Sequence, residues 1–170
     1  KETEPKTGTT GTEVTAEPKS YTGFTFDNSV EGTVQTGTIA GDGSLVLRLY
    51  YTRNSYKVTY AYEGTAPEGA SELPEEATYK YGASVEVAGN ATAPGYTFSG
   101  WDSDNVEIAE NEFTMPAQDV VITGRFTANT NTEYKVEHYL QDLDGEGYTL
   151  KETEPKTGTT GTQVTAAPKS

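Results

Sequence analysis

The chain contains no cysteine, so neither disulfides nor thiolate metal sites can brace its core. It has a single methionine, tryptophan and histidine, it is sparing with leucine and isoleucine, and hydrophobic residues make up only 33%. Positive charge is scarce too: 12 Lys and Arg face 26 Asp and Glu, which gives a net charge of −14 and a pI near 4.4. That balance excludes the basic footprint that a nucleic-acid or anionic-lipid partner requires. No apolar run approaches the length of a membrane span, so membrane insertion is not expected. The room is taken by 29 threonines, 18 glycines and 12 tyrosines, which suit strands and turns far better than helices. The expected fold is mainly β with small cores, and no cofactor is expected.

What is present is a repeat. Lys1–Ser20, KETEPKTGTTGTEVTAEPKS, occurs again at Lys151–Ser170 as KETEPKTGTTGTQVTAAPKS. Only Glu13/Gln163 and Glu17/Ala167 differ, so eighteen of twenty positions match at a spacing of 150 residues. A near-verbatim repeat at a fixed period is the mark of a tandem array. The chain therefore reads as one full repeat plus an overlap, cut inside a module. It starts at Lys1 with no signal-like segment, which suggests an excerpt or processed product; Leu73-Pro74-Glu75-Glu76-Ala77 starts like a sorting signal but lacks its threonine and a following hydrophobic tail, so it is not read as an anchor.

Strands are expected at Tyr21–Phe26, at Ser44–Thr52 with Leu45, Leu47 and Leu49 on one face, and at Tyr56–Tyr62 with Tyr56, Val58, Tyr60 and Tyr62 together. Arg53-Asn54-Ser55 reads as a linker. Glu63–Ala77, rich in Gly, Pro and Glu, reads as a loop with at most one helical turn near Gly69–Glu72. Further strands are expected at Tyr79–Val87, Tyr96–Trp101, Glu112–Met115 and Val120–Phe126. A second linker is expected at Ala128–Thr132. Tyr134–Leu140 repeats the YKV opening of Tyr56–Val58 and leads through an Asp/Gly turn at Asp142–Gly147 into the second copy.

This gives residues 1–54 as the later part of one module lacking its first strand, 55–128 as a complete module, and 133–170 as the start of the next. The two module types resemble each other. Each has a glycine followed by an alternating valine (Gly11 and Val14, Gly82 and Val85) and then Gly-aromatic-Thr-Phe (Gly23–Phe26, Gly95–Phe98).

Gly95–Trp101 (GYTFSGW), followed by Phe113-Thr114-Met115-Pro116 and the segment Asp119–Phe126, resembles the Listeria–Bacteroides repeat, the B-repeat of internalin-type surface proteins. YKVEHYLQDLDGEGYTL from Tyr134, with the later Ser44–Thr52, is similar to the mucin-binding-protein repeats of Gram-positive adhesins. The resemblance implies β-grasp-like modules in an elongated tandem array on a bacterial cell surface or cell wall, outside the cell. The second family's name suggests host glycan or mucin as a partner. Separately, residues 1–54 lack the opening strand that Tyr134–Leu150 would supply, so the expected partners are neighbouring repeats or copies of the chain itself, joined head to tail by strand donation, with closure within one molecule as the competing possibility.

Candidate chemistry is thin. His138, the lone histidine, would need a nucleophile or carboxylate partner in reach for a catalytic or ligand role, which the sequence does not identify, and a half-buried or edge-strand position is its default reading. Asp102-Ser103-Asp104-Asn105 and Asp142-Leu143-Asp144-Gly145-Glu146 offer oxygen ligands for calcium, but position 12 of each is Phe113 or Thr153 rather than a bidentate Glu, and such clusters also make tight turns. Trp101 suits a core more than a sugar platform, whereas Tyr79 and Tyr81, expected to be exposed, are the better sugar candidates. No Glu/Asp pair stands out as acid and base, and an isopeptide bond would need a lysine buried beside an acid. The expected function is a non-catalytic stalk or spacer of a surface adhesin, with a carbohydrate- or mucin-binding module as the alternative; no catalytic, metal or ligand-binding residue is assigned.

Overall fold

The structure, a computed structural model, describes residues 2–169, and among these it contains strands but no helix. The strands are β1 (Glu13–Thr15), β2 (Phe24–Phe26), β3 (Thr36–Thr38), β4 (Tyr51–Arg53), β5 (Ser55–Tyr62), β6 (Ala77–Lys80) and β7 (Ser84–Glu86). They continue with β8 (Tyr96–Phe98), β9 (Glu112–Thr114), β10 (Val120–Gly124), β11 (Phe126–Ala128), β12 (Thr132–Gln141) and β13 (Tyr148–Gly158). The chain is therefore all-β, built from several small sheets: one three-stranded sheet in the order β10-β5-β6, and the pairs β1-β3, β2-β4, β7-β9, β8-β11 and β12-β13.

Two compact units are present. One comprises Lys1–Val58, Glu76–Glu86 and Glu112–Val120, and the other Thr59–Glu75, Val87–Asn111 and Val121–Ser170. The first unit buries Val58, Val85, Phe113, Met115 and Val120, and in it Val85 stands opposite Phe113 across β7-β9. The second buries Val87, Ala91, Ala93 and Ile122. Met115, Ile122, Val58, Val85 and Val120 are the fully buried side chains among the described residues, each stabilising by about 1.5–3 kcal/mol through loss of apolar surface. With so few, the aromatic residues must supply the rest of the core.

One bonding scheme occurs twice. Near the start, Gly11 donates its amide to the Ile39 carbonyl and Ile39 to that of Thr12, both at 2.9 Å; later, Gly82 donates to Met115 at 2.9 Å and Met115 to Ala83 at 2.8 Å. The strand after each set holds the Gly-aromatic-Thr-Phe motif, β2 in one case and β8 in the other. Thr25 Oγ1 donates to Asn54 Oδ1 at 2.7 Å, and Thr97 Oγ1 donates to Asn129 Oδ1 at 2.7 Å. The Asn54 amide donates to Gly23 at 2.8 Å, as that of Asn129 does to Gly95 at 2.9 Å. The sequence likeness between the two module types thus reflects a shared set of hydrogen bonds, with β1, β2, β3 and β4 corresponding to β7, β8, β9 and β11.

Several expected elements are shorter or divided. Tyr79–Val87 is two strands, because Gly82 takes φ 73° in a turn that a β-branched residue would strain. Val120–Phe126 breaks at Arg125 into β10 and β11. The linker expected at Arg53-Asn54-Ser55 shrinks to Asn54, since Arg53 ends β4 and Ser55 begins β5. Likewise Ala128 and Thr132 belong to β11 and β12. The loop Glu63–Ala77 holds a turn at Glu68-Gly69 and no helical turn.

The largest departure is Ser44–Thr52. Its alternation is present, with Leu45, Leu47 and Leu49 half-buried and Val46, Arg48 and Tyr50 exposed, yet only Tyr51–Arg53 forms a strand. Arg48 makes an isolated bridge with Val34, at 2.8 Å in both directions. The physical reason lies in the correspondence above: Ser44–Tyr50 precedes β4 as β10 precedes β11, and β10 has β5 for a neighbour, whereas among the described residues no opening strand lies beside Ser44–Tyr50. An extended segment with the correct face pattern is not a strand until a ladder partner is supplied.

Candidate functional site

The two copies of the repeated peptide fold alike locally and pair differently, which makes them the feature most informative about function. In both, Gly11 or Gly161 takes a positive φ, 82° or 75°, in a turn closed by Thr12 donating to Thr9 at 3.2 Å or Thr162 donating to Thr159 at 3.1 Å. In both, the lysine near the end reaches back to the two glutamates at the start. Lys19 pairs with Glu2 at 2.9 Å and with Glu4, and Lys169 pairs with Glu152 at 2.8 Å and with Glu154. Lys6 meets Glu4 at 3.3 Å as Lys156 meets Glu154 at 2.9 Å. The peptide therefore closes an ionic clasp on itself whether or not it lies in a sheet.

Pairing separates the copies. Residues 2–8 form no strand, while Lys151–Gly158 completes β13 in a long antiparallel ladder with β12, Thr132 opposite Gly158 and His138 opposite Glu152. Conversely, Glu13–Thr15 pairs with β3, Val14 opposite Gly37, whereas Gln163–Thr165 lies outside any strand. Each copy makes one half of the bonds that the sequence supports.

Hydrogen bonds from Lys156 and then Lys169 hold the Glu154 carboxyl at about 2, far below its ordinary 4.5. Lys19 and then the Tyr21 hydroxyl lower Glu2 in the first copy. A lowered carboxyl contributes stability above its unfolded value and loses it as pH falls through the folded one. The second clasp is accordingly expected to stay closed above about pH 4.5 and to open as pH approaches about 2, and added salt should shift that opening upward because the groups are solvated. A carboxyl-detected NMR titration of Glu154 reads the midpoint; a midpoint near 4.5 would show the clasp to be open at all pH values.

The other candidates are placed as follows. His138 lies half-buried in β12, with Nε2 3.8 Å from Glu154 Oε1 and without a hydrogen-bond partner. The Asp102 and Asp142 clusters serve turns. Asp102 Oδ1 accepts from the Ser103 amide at 2.8 Å, Asp142 Oδ1 accepts from Thr149 Oγ1 at 2.6 Å, and Asp144 Oδ1 accepts from the Glu146 amide at 3.1 Å. No group of three His, Cys, Asp or Glu side chains poised to hold a metal occurs among the described residues. No charged side chain is buried among them either, so the lysine-with-acid setting of an isopeptide bond is not assembled.

The aromatic residues divide into packed and exposed sets. Trp101 sits among Tyr60, Tyr62 and Phe98, with ring centroids 5.1, 5.8 and 4.8 Å away, and its Nε1 donates to the Gly89 carbonyl at 2.9 Å. Tyr79 and Tyr81, expected to be exposed, are half-buried. Tyr79 stands opposite Tyr56 across β5-β6, and the Tyr81 ring packs edge-on to Phe24 at 5.7 Å. Of the exposed large side chains, Tyr139, Leu140, Leu143, Tyr148 and Leu150 lie on the C-terminal hairpin with Val164 beyond it, while Tyr21, Val46, Tyr50, Leu73 and Val121 are exposed elsewhere. The Tyr-x-Val-x-x-Tyr opening contains Tyr139 without indicating which residues of that hairpin lack a cover.

Residues 56–130, less than half of the chain, match the divergent InlB B-repeat domain. Domains of this kind are non-catalytic repeats typical of bacterial surface proteins. No curated protein and no solved structure matches the chain.

Proposed function

We propose that this chain is a structural repeat, a stalk or spacer, of a bacterial cell-surface adhesin, in which two related β-grasp-like modules alternate along an elongated array outside the cell. The B-repeat match supports the central module. The observation that carries the reading is a junction that occurs twice. Asn54, immediately after β4, accepts from the Tyr81 amide at 2.8 Å, and Asn129, immediately after β11, accepts from the Thr160 amide at 2.9 Å. Tyr81 and Thr160 occupy the same place, one residue before the positive-φ glycines Gly82 and Gly161. Whatever module comes next is thus received by the same asparagine carbonyl, which is what an array needs in order to propagate with a fixed geometry. On this reading residues 1–54 are the later part of one mucin-binding-repeat-like module and 133–170 the start of the next, 55–128 is the module of the other type between them, and the partners are neighbouring repeats or copies of the chain.

The test is binding. Titration of the chain against mucin and a glycan array is expected to give no saturable signal. Saturable binding would replace the spacer reading with a carbohydrate-binding one, for which Tyr139 and Tyr148, the most exposed tyrosines among the described residues, are candidate stacking surfaces.

A further inference from the structure

Three observations concern two surfaces that match each other, the Ser44–Tyr50 edge with β3 and the C-terminal hairpin with Val164. Ser44–Tyr50 has the face alternation of a strand and the chain position of β10, but lacks the neighbour that β5 provides for β10. The β12-β13 hairpin is a two-stranded sheet that leaves Tyr139, Leu140, Tyr148 and Leu150 exposed, and β12 opens with the same Tyr-Lys-Val as β5. Val164 is exposed, whereas its counterpart Val14 is half-buried in β1 opposite Gly37 of β3.

We propose that Ser44–Tyr50 and β3 form the docking surface for the C-terminal hairpin of a second copy of this chain. Strand β12 of that copy lies beside Ser44–Tyr50 as β5 lies beside β10 and carries β13 with it. Its Gln163–Thr165 takes the place of Glu13–Thr15 on β3, with Val164 opposite Gly37. This rests on the alternating-repeat reading above, and it names the strands through which copies join.

The hairpin moves whole because its ladder runs from Thr132 to Gln141, while β1 is held to β3 over three residues only. The incoming peptide matches the one it displaces at all positions but two, and both differences, Glu13 to Gln163 and Glu17 to Ala167, remove a carboxylate. In a chain of net charge −14 that lowers the repulsion between copies. The contact is heterologous, since the donor's hairpin and the acceptor's edge are different surfaces, so it propagates as a head-to-tail chain.

The test uses the whole chain and one substitution at each of two equivalent positions. Sedimentation from the micromolar to the millimolar range is expected to show association that grows with concentration. Val164→Pro removes an amide the ladder needs while Gln163–Thr165 makes no backbone hydrogen bond in the single chain, so it should weaken association by at least about tenfold. Val14→Pro loosens the segment to be displaced and should strengthen association by about tenfold for the same reason. A strictly monomeric chain, or two variants that shift association in the same direction, overturns the proposal.

A second measurement fixes the register. In Thr38→Cys/Gln163→Cys, a disulfide is expected between molecules, because Thr38 faces Glu13 and hence its counterpart Gln163. A disulfide within one molecule, or none, overturns the intermolecular exchange. Neither outcome touches glycan binding, so failure here is separable from failure of the spacer reading.

Discussion

Met115→Ala is expected to lower the stability of the chain by about 2–5 kcal/mol, enough to unfold the part of the molecule that it anchors. The methionine is wholly inaccessible to solvent. Its amide donates to Ala83 at 2.8 Å and its carbonyl accepts from Gly82 at 2.9 Å, so the backbone is tied on both sides and cannot sink into the space that the side chain leaves. The cavity term therefore adds in full to the lost transfer energy. Small domains have only about 5–15 kcal/mol in total, and this one has neither a disulfide nor a large apolar core in reserve. Urea denaturation followed by circular dichroism measures the loss; a change under about 1 kcal/mol would show that the site collapses and that Met115 is not an anchor.

Trp101→Ala should cost about as much, roughly 3–5 kcal/mol, through a different mechanism. The indole lies within an aromatic cluster, stacked on Tyr62 at an interplanar angle of 14° and edge-on to Tyr60 and Phe98 at 73° and 70°. Such pairs add about 0.5–1.5 kcal/mol each to the area that they bury. Trp101→Phe would keep much of the packing and leave the Gly89 carbonyl without its donor, a loss of about 1 kcal/mol beyond the smaller ring. Tyrosine fluorescence and thermal melting separate the two variants. Were Trp101 a sugar platform instead, alanine there would leave the melting temperature nearly unchanged, and that result would sink the core assignment.

Particular segments show what can be read from composition and order. The alternation in Tyr56–Tyr62 correctly places Val58 inside, because a strand face is a local property of period two. Gly-aromatic-Thr-Phe marks equivalent strands at β2 and β8, since the threonine in both donates to an asparagine beyond the closing strand. The break at Gly82 was not visible from alternation, because valine and glutamate continue the period across the turn. Tyr79 and Tyr81 were expected to be exposed because nothing near them in sequence indicates that Tyr56 and Phe24 will cover them. The candidate surface was legible only as a missing strand; which residues line it depended on the pairing of segments far apart.

The twice-occurring peptide shows where determination by sequence ends. Its clasp of lysine on two glutamates and its glycine turn appear in both copies, because they depend on contacts within twenty residues. Whether KETEPKTG is a strand does not. It is one at Lys151–Gly158, where β12 lies alongside, and it is not one at residues 2–8, where no such neighbour is at hand. A helix closes its hydrogen bonds within its own segment, but a strand borrows them from another, so identical residues took two structures according to which partner the tertiary fold placed beside them.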